Sequence, residues 1–164
     1  MLVCGLLAGC GFRPLYGEQQ GGSIAAQLLS IEIEAGRNRE GQMFRNELVR
    51  LLYGGGRPSR AVYRLKMELS EGKSSLAVRK SAYATRGNLK MSVNFELYEV
   101  STGKVTFSST SSSTVSYNVL DAEFSALLAE KNARERALRM LGEEVRVLLG
   151  NYFDRLAAGQ VDRK

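Results

Sequence analysis

A residue-by-residue alternation in the middle of the chain constrains its architecture most. In "AVYRLKMELSEG", Ala61, Tyr63, Leu65, Met67 and Leu69 alternate with Arg64, Lys66, Glu68 and Ser70; "NLKMSVNFELYEV" repeats the pattern with Leu89, Met91, Val93, Phe95 and Leu97 against Lys90, Ser92, Asn94 and Glu96. Side chains on a strand point to opposite faces in turn, so each stretch has one apolar and one polar face. Such strands form a sheet that is half buried and half wet. Something else in the chain must cover the apolar side.

Two helical stretches can do so. In "REGQMFRNELVRLLYGGG", Phe44, Leu48, Leu51 and Leu52 recur at i, i+4, i+7 and i+8, and the glycines after Tyr53 end the helix. A longer one starts near Asp121, an expected N-cap, and places Phe124, Leu127, Leu128, Leu138, Leu141, Val145, Leu148 and Tyr152 at helical spacing, interrupted by "KNARER". A short β-branched strand is expected around 30–34, a further short one within "SSLAVRKSAYATR", and "STG" at 101–103 turns the chain into "KVTFSSTSSSTVSY". The predicted fold is α+β: a two-layer sandwich in which a largely antiparallel, four- to five-stranded sheet carries two helices on one face, in the order β-α-β-β-β-α. The face bearing Arg64, Lys66 and Lys90 is left open.

The N-terminus reads differently. "MLVCGLLAG" is apolar, too short to span a bilayer, and closes on small residues before Cys10. Leu7, Ala8, Gly9 and Cys10 match the bacterial lipobox, so Cys10 is the expected lipid attachment site and first residue of the mature chain; a buried cysteine or a Cys4–Cys10 disulfide is the structural alternative. Covalent diacylglycerol and an acyl chain on Cys10 are expected, with Gly11 rather than an inner-membrane-retaining Asp after it. No cationic stretch precedes Arg13, from which Met1 is read as an internal start of a longer signal. Residues 1–9 are thus a signal-peptide remnant, 10–23 a lipid-anchored N-terminus and flexible spacer containing "GEQQGGS", 24–156 one domain, and 157–164 a polar tail.

Charge and composition narrow the function. The +6 balance is uneven: Arg39 to Lys90 holds twelve Lys or Arg against four Glu, so this half faces an anion or is simply well solvated. An exported lipoprotein meets lipid or glycan rather than nucleic acid, and Tyr63 and Phe95 fall on the core face, where they cannot stack bases. The absence of histidine excludes imidazole bases and the usual zinc clusters. Glu32, Glu34, Glu143 and Glu144 read as surface charge, and "YGGGRP" lacks the lysine and hydroxyl of a phosphate-binding loop. No catalytic residue, metal site or cofactor is expected, and the chain is not read as an enzyme.

"LAGCGFRPLYG", "YRLKMELSEG", "ATRGNLKMSVNFELYEV", "TGKVTFSS" and "SYNVLDAEFSALLAEKNARERALRML", in this order, resemble the lipopolysaccharide-assembly lipoprotein family LptE in its alphaproteobacterial form. The resemblance runs from about Gly9 to Tyr152. It implies an outer-membrane lipoprotein, anchored in the inner leaflet on the periplasmic side, that plugs the translocon barrel LptD, helps it assemble and contacts lipopolysaccharide. Carried over by motif position, it implies lipopolysaccharide contacts at Arg79, ending the short middle strand, and near Lys131 in the last helix. Lys80, Arg86 and Lys90 lie close to Arg79 in sequence, and Arg and Lys are natural ligands for lipid A phosphates. Two other readings stay open: a structural lipoprotein bracing another envelope complex without binding lipopolysaccharide, and a soluble module for an anionic polymer.

Overall fold

The structure, a computed structural model, describes residues 21–54, 60–75, 85–119 and 122–160. Helix α1 (Gly21–Leu29) leads into strand β1 (Ile31–Ile33), helix α2 (Arg39–Tyr53), strands β2 (Tyr63–Ser75), β3 (Thr85–Glu99) and β4 (Val105–Val119), and helix α3 (Glu123–Ala157). The sheet runs β1-β2-β3-β4, with β1 parallel to β2 and the other pairs antiparallel. The α+β architecture and the open polar face match the sequence reading, with four strands. A third helix, α1, joins the two expected. It begins within the stretch read as spacer, and its Ile24 and Leu28 are buried. Of the extra strand read in "SSLAVRKSAYATR", residues 76–84 lie outside the described residues.

The alternation of β3 becomes burial without a slip. Leu89, Met91, Val93, Phe95 and Leu97 are buried, whereas Lys90 and Asn94 are exposed. Register explains why: Leu65 pairs with Leu97, and Met67 with Phe95, so both apolar rows fall on one face. Shifting either strand by one residue would turn its whole row into water. The turn to β4 is closed by Gly103, in the left-handed region at φ 68°, whose N–H donates to the Glu99 carbonyl at 2.8 Å.

Helix α2 starts on Asn38, whose side chain accepts from the Gly41 N–H at 2.8 Å, and stops at Gly54 with φ 54°. These are a side-chain N-cap and a left-handed C-cap. It buries Phe44, Leu48 and Leu52 against the sheet and α3. The two helices approach closely at Gly142: a Cβ there would lie 2.8 Å from Leu51 Cδ1 and 3.2 Å from Glu47 Cγ.

The inner row of β4 differs from that of β3. Phe107, Ser109, Ser111, Ser113, Val115 and Tyr117 face α3, and Ser111 and Ser113 are buried. Helix α3 lies over this strand, with Glu144 and Met140 reaching the two buried serines and its Ala133 and Ala137 fully buried. The Ser111 hydroxyl donates to Glu144, and the Ser113 hydroxyl lies 3.6 Å from Met140 Sδ, so neither buried hydroxyl is left unpaired. At the other end of α3, Phe107 stacks on Tyr152 with ring centroids 4.9 Å apart, and Tyr152 meets Phe153 at 5.2 Å.

One expectation fails on α3. Leu138, Leu141, Val145 and Tyr152 are buried as the spacing predicted, but Phe124, Leu127 and Leu128 are 77%, 62% and 47% exposed. The buried stripe begins at Ala133, and the turns before it carry the helical period without an apolar surface to meet. Asp121 lies outside the described residues, and the N-cap position, Ala122, makes no side-chain bond.

Candidate functional site

The outward face of β2, β3 and β4 is a continuous polar surface. From β2 it takes Arg64, Lys66, Glu68 and Ser70; from β3, Arg86, Asn88, Lys90, Ser92, Asn94, Glu96 and Tyr98; from β4, every second residue from Thr106 to Asn118. Its β4 third is hydroxyl and amide throughout. Cross-strand bonds tie it together: Thr110 Oγ1 to Asn94 Oδ1 at 2.8 Å, and Ser116 Oγ to Asn88 Oδ1 at 2.7 Å. A depression of about 400 Å³ lies over Lys66, Glu68, Asn94, Glu96, Ser108 and Thr110.

Charge sits toward the β1–β2 side and the far end of β3. Arg64 pairs with Glu32 at 3.2 Å, and Tyr98 donates to Glu96, which raises the phenol above its ordinary pKa. Arg86 and Lys90 are exposed and have no ion-pair partner among the described residues. Four residues apart on one strand, they share a face at a separation of about 13 Å. Lys131 is exposed as well but belongs to α3, on the other layer. The structure therefore brings Arg86 and Lys90 to one surface and leaves Lys131 apart. Arg79, Lys80 and Cys10 lie outside the described residues.

A charged cluster escaped the sequence reading. The inward row of β2 is apolar as far as Leu69 and continues as Glu71 and Lys73. There α3 supplies Glu130 and Arg134. Arg134 donates to both Glu71 oxygens, at 2.6 and 2.9 Å, and to Glu130 at 2.7 Å, and Lys73 donates to Glu130 at 2.6 Å. The Arg134 hydrogen bond holds the Glu71 carboxyl below the usual range, and the Lys73 hydrogen bond does the same for Glu130. Arg134 and Lys73 are raised in return. The signal was readable in part: Glu130 and Arg134 are an i, i+4 pair, and Glu71 keeps the inward parity of Leu69. Their meeting, 63 residues apart for Arg134 and Glu71, was not. Among the described residues no cluster of His, Cys, Asp and Glu is able to hold a metal.

This two-layer sandwich has counterparts among proteins of known crystal structure. The chain is similar to a protein of Caulobacter crescentus CB15 described as a lipoprotein, at 22% identity and TM-score 0.66 over 80% of this chain and 96% of that one. It is also similar to a minor lipoprotein of Acinetobacter baumannii, at 17% identity and TM-score 0.53 over 74% and 88%. These likenesses establish the fold. No curated protein matches the chain.

The family model LptE, lipopolysaccharide-assembly, matches residues 28–146, and the chain belongs to that family. It is accordingly a lipopolysaccharide-assembly lipoprotein of the cell envelope, from a family that is non-enzymatic and has no known cofactor.

Proposed function

We propose that the protein sits on the periplasmic face of the outer membrane, anchored by acylated Cys10, fills the lumen of the LptD barrel and contacts lipopolysaccharide as it passes. The observation that carries this reading is the open sheet face: three long strands bearing, apart from Tyr98 and the Val105 opposite it, hydroxyl, amide and charged side chains. Barrel interiors are polar, and such a face is wetted or hydrogen-bonded there at little cost. Arg79 and Lys80, with Arg86 and Lys90 following on β3, form the proposed lipopolysaccharide contact, and their cations suit lipid phosphates. Lys131, close behind Leu127 and Leu128 on α3, is a separate contact.

The test compares two double variants at physiological ionic strength, where diffuse attraction is screened within about 8 Å. Arg79→Glu with Lys80→Glu is expected to weaken binding of purified lipopolysaccharide while the barrel complex still co-purifies. Arg57→Glu with Arg60→Glu changes net charge equally and is expected to leave binding intact. Equal loss in both pairs would reduce the contact to general electrostatics, and loss in neither would remove lipopolysaccharide contact from the function. The anchor is checked separately by detergent partitioning of Cys10→Ser, which is expected to leave the membrane fraction.

A further inference from the structure

Strand β1 pairs with β2 only from Tyr63 to Leu65, so among the described residues 66–75 of β2 form an open edge of the sheet. The chain leaves that edge abruptly. The Glu34 N–H donates to the Leu65 carbonyl at 3.0 Å, and Gly36 then packs so closely on the Gly41 backbone that a Cβ there has no room. The Leu65 carbonyl thus faces β1 and not β3, and alternation turns the N–H and C=O groups of Leu69, Glu71 and Lys73 the same way, toward the open side. The missing neighbour shows in burial. In β3 the inward row from Leu89 to Leu97 is no more than 2% exposed, whereas Met67 and Leu69, on the same face, are only half-buried.

A slot of about 250 Å³ opens beside this half-buried pair, between β2 and the start of α2, lined by Gly36, Arg37, Phe44, Met67, Glu68 and Leu69. Outward peptide groups next to an apolar slot are what strand addition uses: main-chain bonds give affinity, and the slot selects a side chain. We propose that the β2 edge takes an extended segment of the barrel protein, one aliphatic or aromatic side chain of which fills the slot. This rests on the lumen reading given above and names a place where the barrel grips the chain by its backbone.

The chemistry of the occupant follows from the edge and its surroundings. Helix α3 lies over β4 and β3 and meets β2 here through the long side chains of Glu130 and Arg134, so it does not overhang this edge. The edge borders the open polar face, and one chain fills one lumen, which leaves the barrel's own chain as the neighbour it meets. A closed barrel has no free strand edge, so the segment comes from a loop folded into the lumen or from chain outside the barrel wall. Glu68 is exposed on the outer face without an ion-pair partner among the described residues. Across strands opposite charges favour pairing, so the residue next to the one in the slot is basic.

Photo-crosslinking in membranes from cells making the full chain and the barrel tests the pairing. Benzoylphenylalanine in place of Arg37, which is exposed at the slot, is expected to give an adduct with the barrel protein. In that background Leu69→Pro removes the N–H that faces the edge and no bond to β3, and is expected to reduce the adduct about tenfold. Leu69→Ala trims the side chain but keeps the N–H, and is expected to lose no more than about twofold. Hydrogen exchange gives a readout without substitution: the Leu69 and Glu71 amides are expected to exchange about tenfold more slowly in the barrel complex than in the free chain. A parent chain that does not co-purify with the barrel would overturn the lumen reading and the pairing with it. Four results would overturn the pairing alone while the complex still co-purifies: no adduct at Arg37, equal loss in Leu69→Pro and Leu69→Ala, unchanged exchange at Leu69, or an adduct within the chain itself or with a different protein.

Discussion

The two ends of α3 solve the same problem in opposite ways. From Ala137 to Phe153 the helix lies on an apolar row and a partner helix: Leu138, Leu141, Val145, Leu149 and Phe153 are buried, and Gly142 admits Leu51. From Glu123 to Arg134 it meets charge instead, closing on Glu71 and Lys73 through Glu130 and Arg134, while Phe124 and Leu127 face outward. Full burial of a large apolar side chain contributes about 1.5–3 kcal/mol, whereas partly exposed ion pairs contribute about 0–1 kcal/mol. The first end should hold the fold, and the second should position the helix without dominating stability.

The sharpest way to break that comparison is at Phe153. It is fully buried against Tyr63 and Tyr152, so Phe153→Ala is expected to cost about 3–5 kcal/mol in urea unfolding. A loss below 1 kcal/mol would mean that the aromatic end is not the anchor. Gly142→Leu comes next: the added side chain runs into Leu51 and Glu47, and overpacking of this sort costs about 1–3 kcal/mol.

Arg134→Met should have a smaller effect, about 1–2 kcal/mol, since it leaves Glu71 and Glu130 facing one another with Lys73 alone. Its signature is pH dependence. Both carboxyls are held below their ordinary 4.5 in the folded protein, so the stability they contribute is present above that value and is lost as pH falls through the lowered folded values. The gap between parent and Arg134→Met in the unfolding midpoint is expected to be constant near neutrality and to close below about pH 4. A gap that persists in acid would show that Arg134 acts by packing its stem. Phe124→Ser with Leu127→Ser should have the smallest effect, within about 0.5 kcal/mol, because neither side chain is covered. A loss of more than 1 kcal/mol would place these residues in the core after all.

The local patterns that were legible were those written in consecutive residues. Period two in β3 specified which side chains are buried, and the helical spacing of Phe44, Leu48 and Leu52 specified the buried face of α2. Helix α1 was not legible because "GGSIAAQLL" opens on two glycines and is short; it persists because Ile24 and Leu28 join the core. The proposed cationic site was legible only in part. Arg86 and Lys90 follow from strand parity and Lys131 from its place on a covering helix, but that Arg86 and Lys90 stay without an ion-pair partner among the described residues is a tertiary outcome.

By itself the sequence determined that this protein has a half-buried sheet, which side of each long strand is wet, and that two helices must cover the other side, because side-chain direction is a property of the local backbone. Only the tertiary structure decided that β4 buries serines beneath a close helix, that Glu71 and Arg134 join across 63 residues, and that the apolar start of α3 is left in water. Those outcomes depend on which surfaces meet. A serine or a charge becomes interior when its partner supplies the hydrogen bonds that water would have made, and a phenylalanine at helical spacing stays exposed when no surface arrives to cover it.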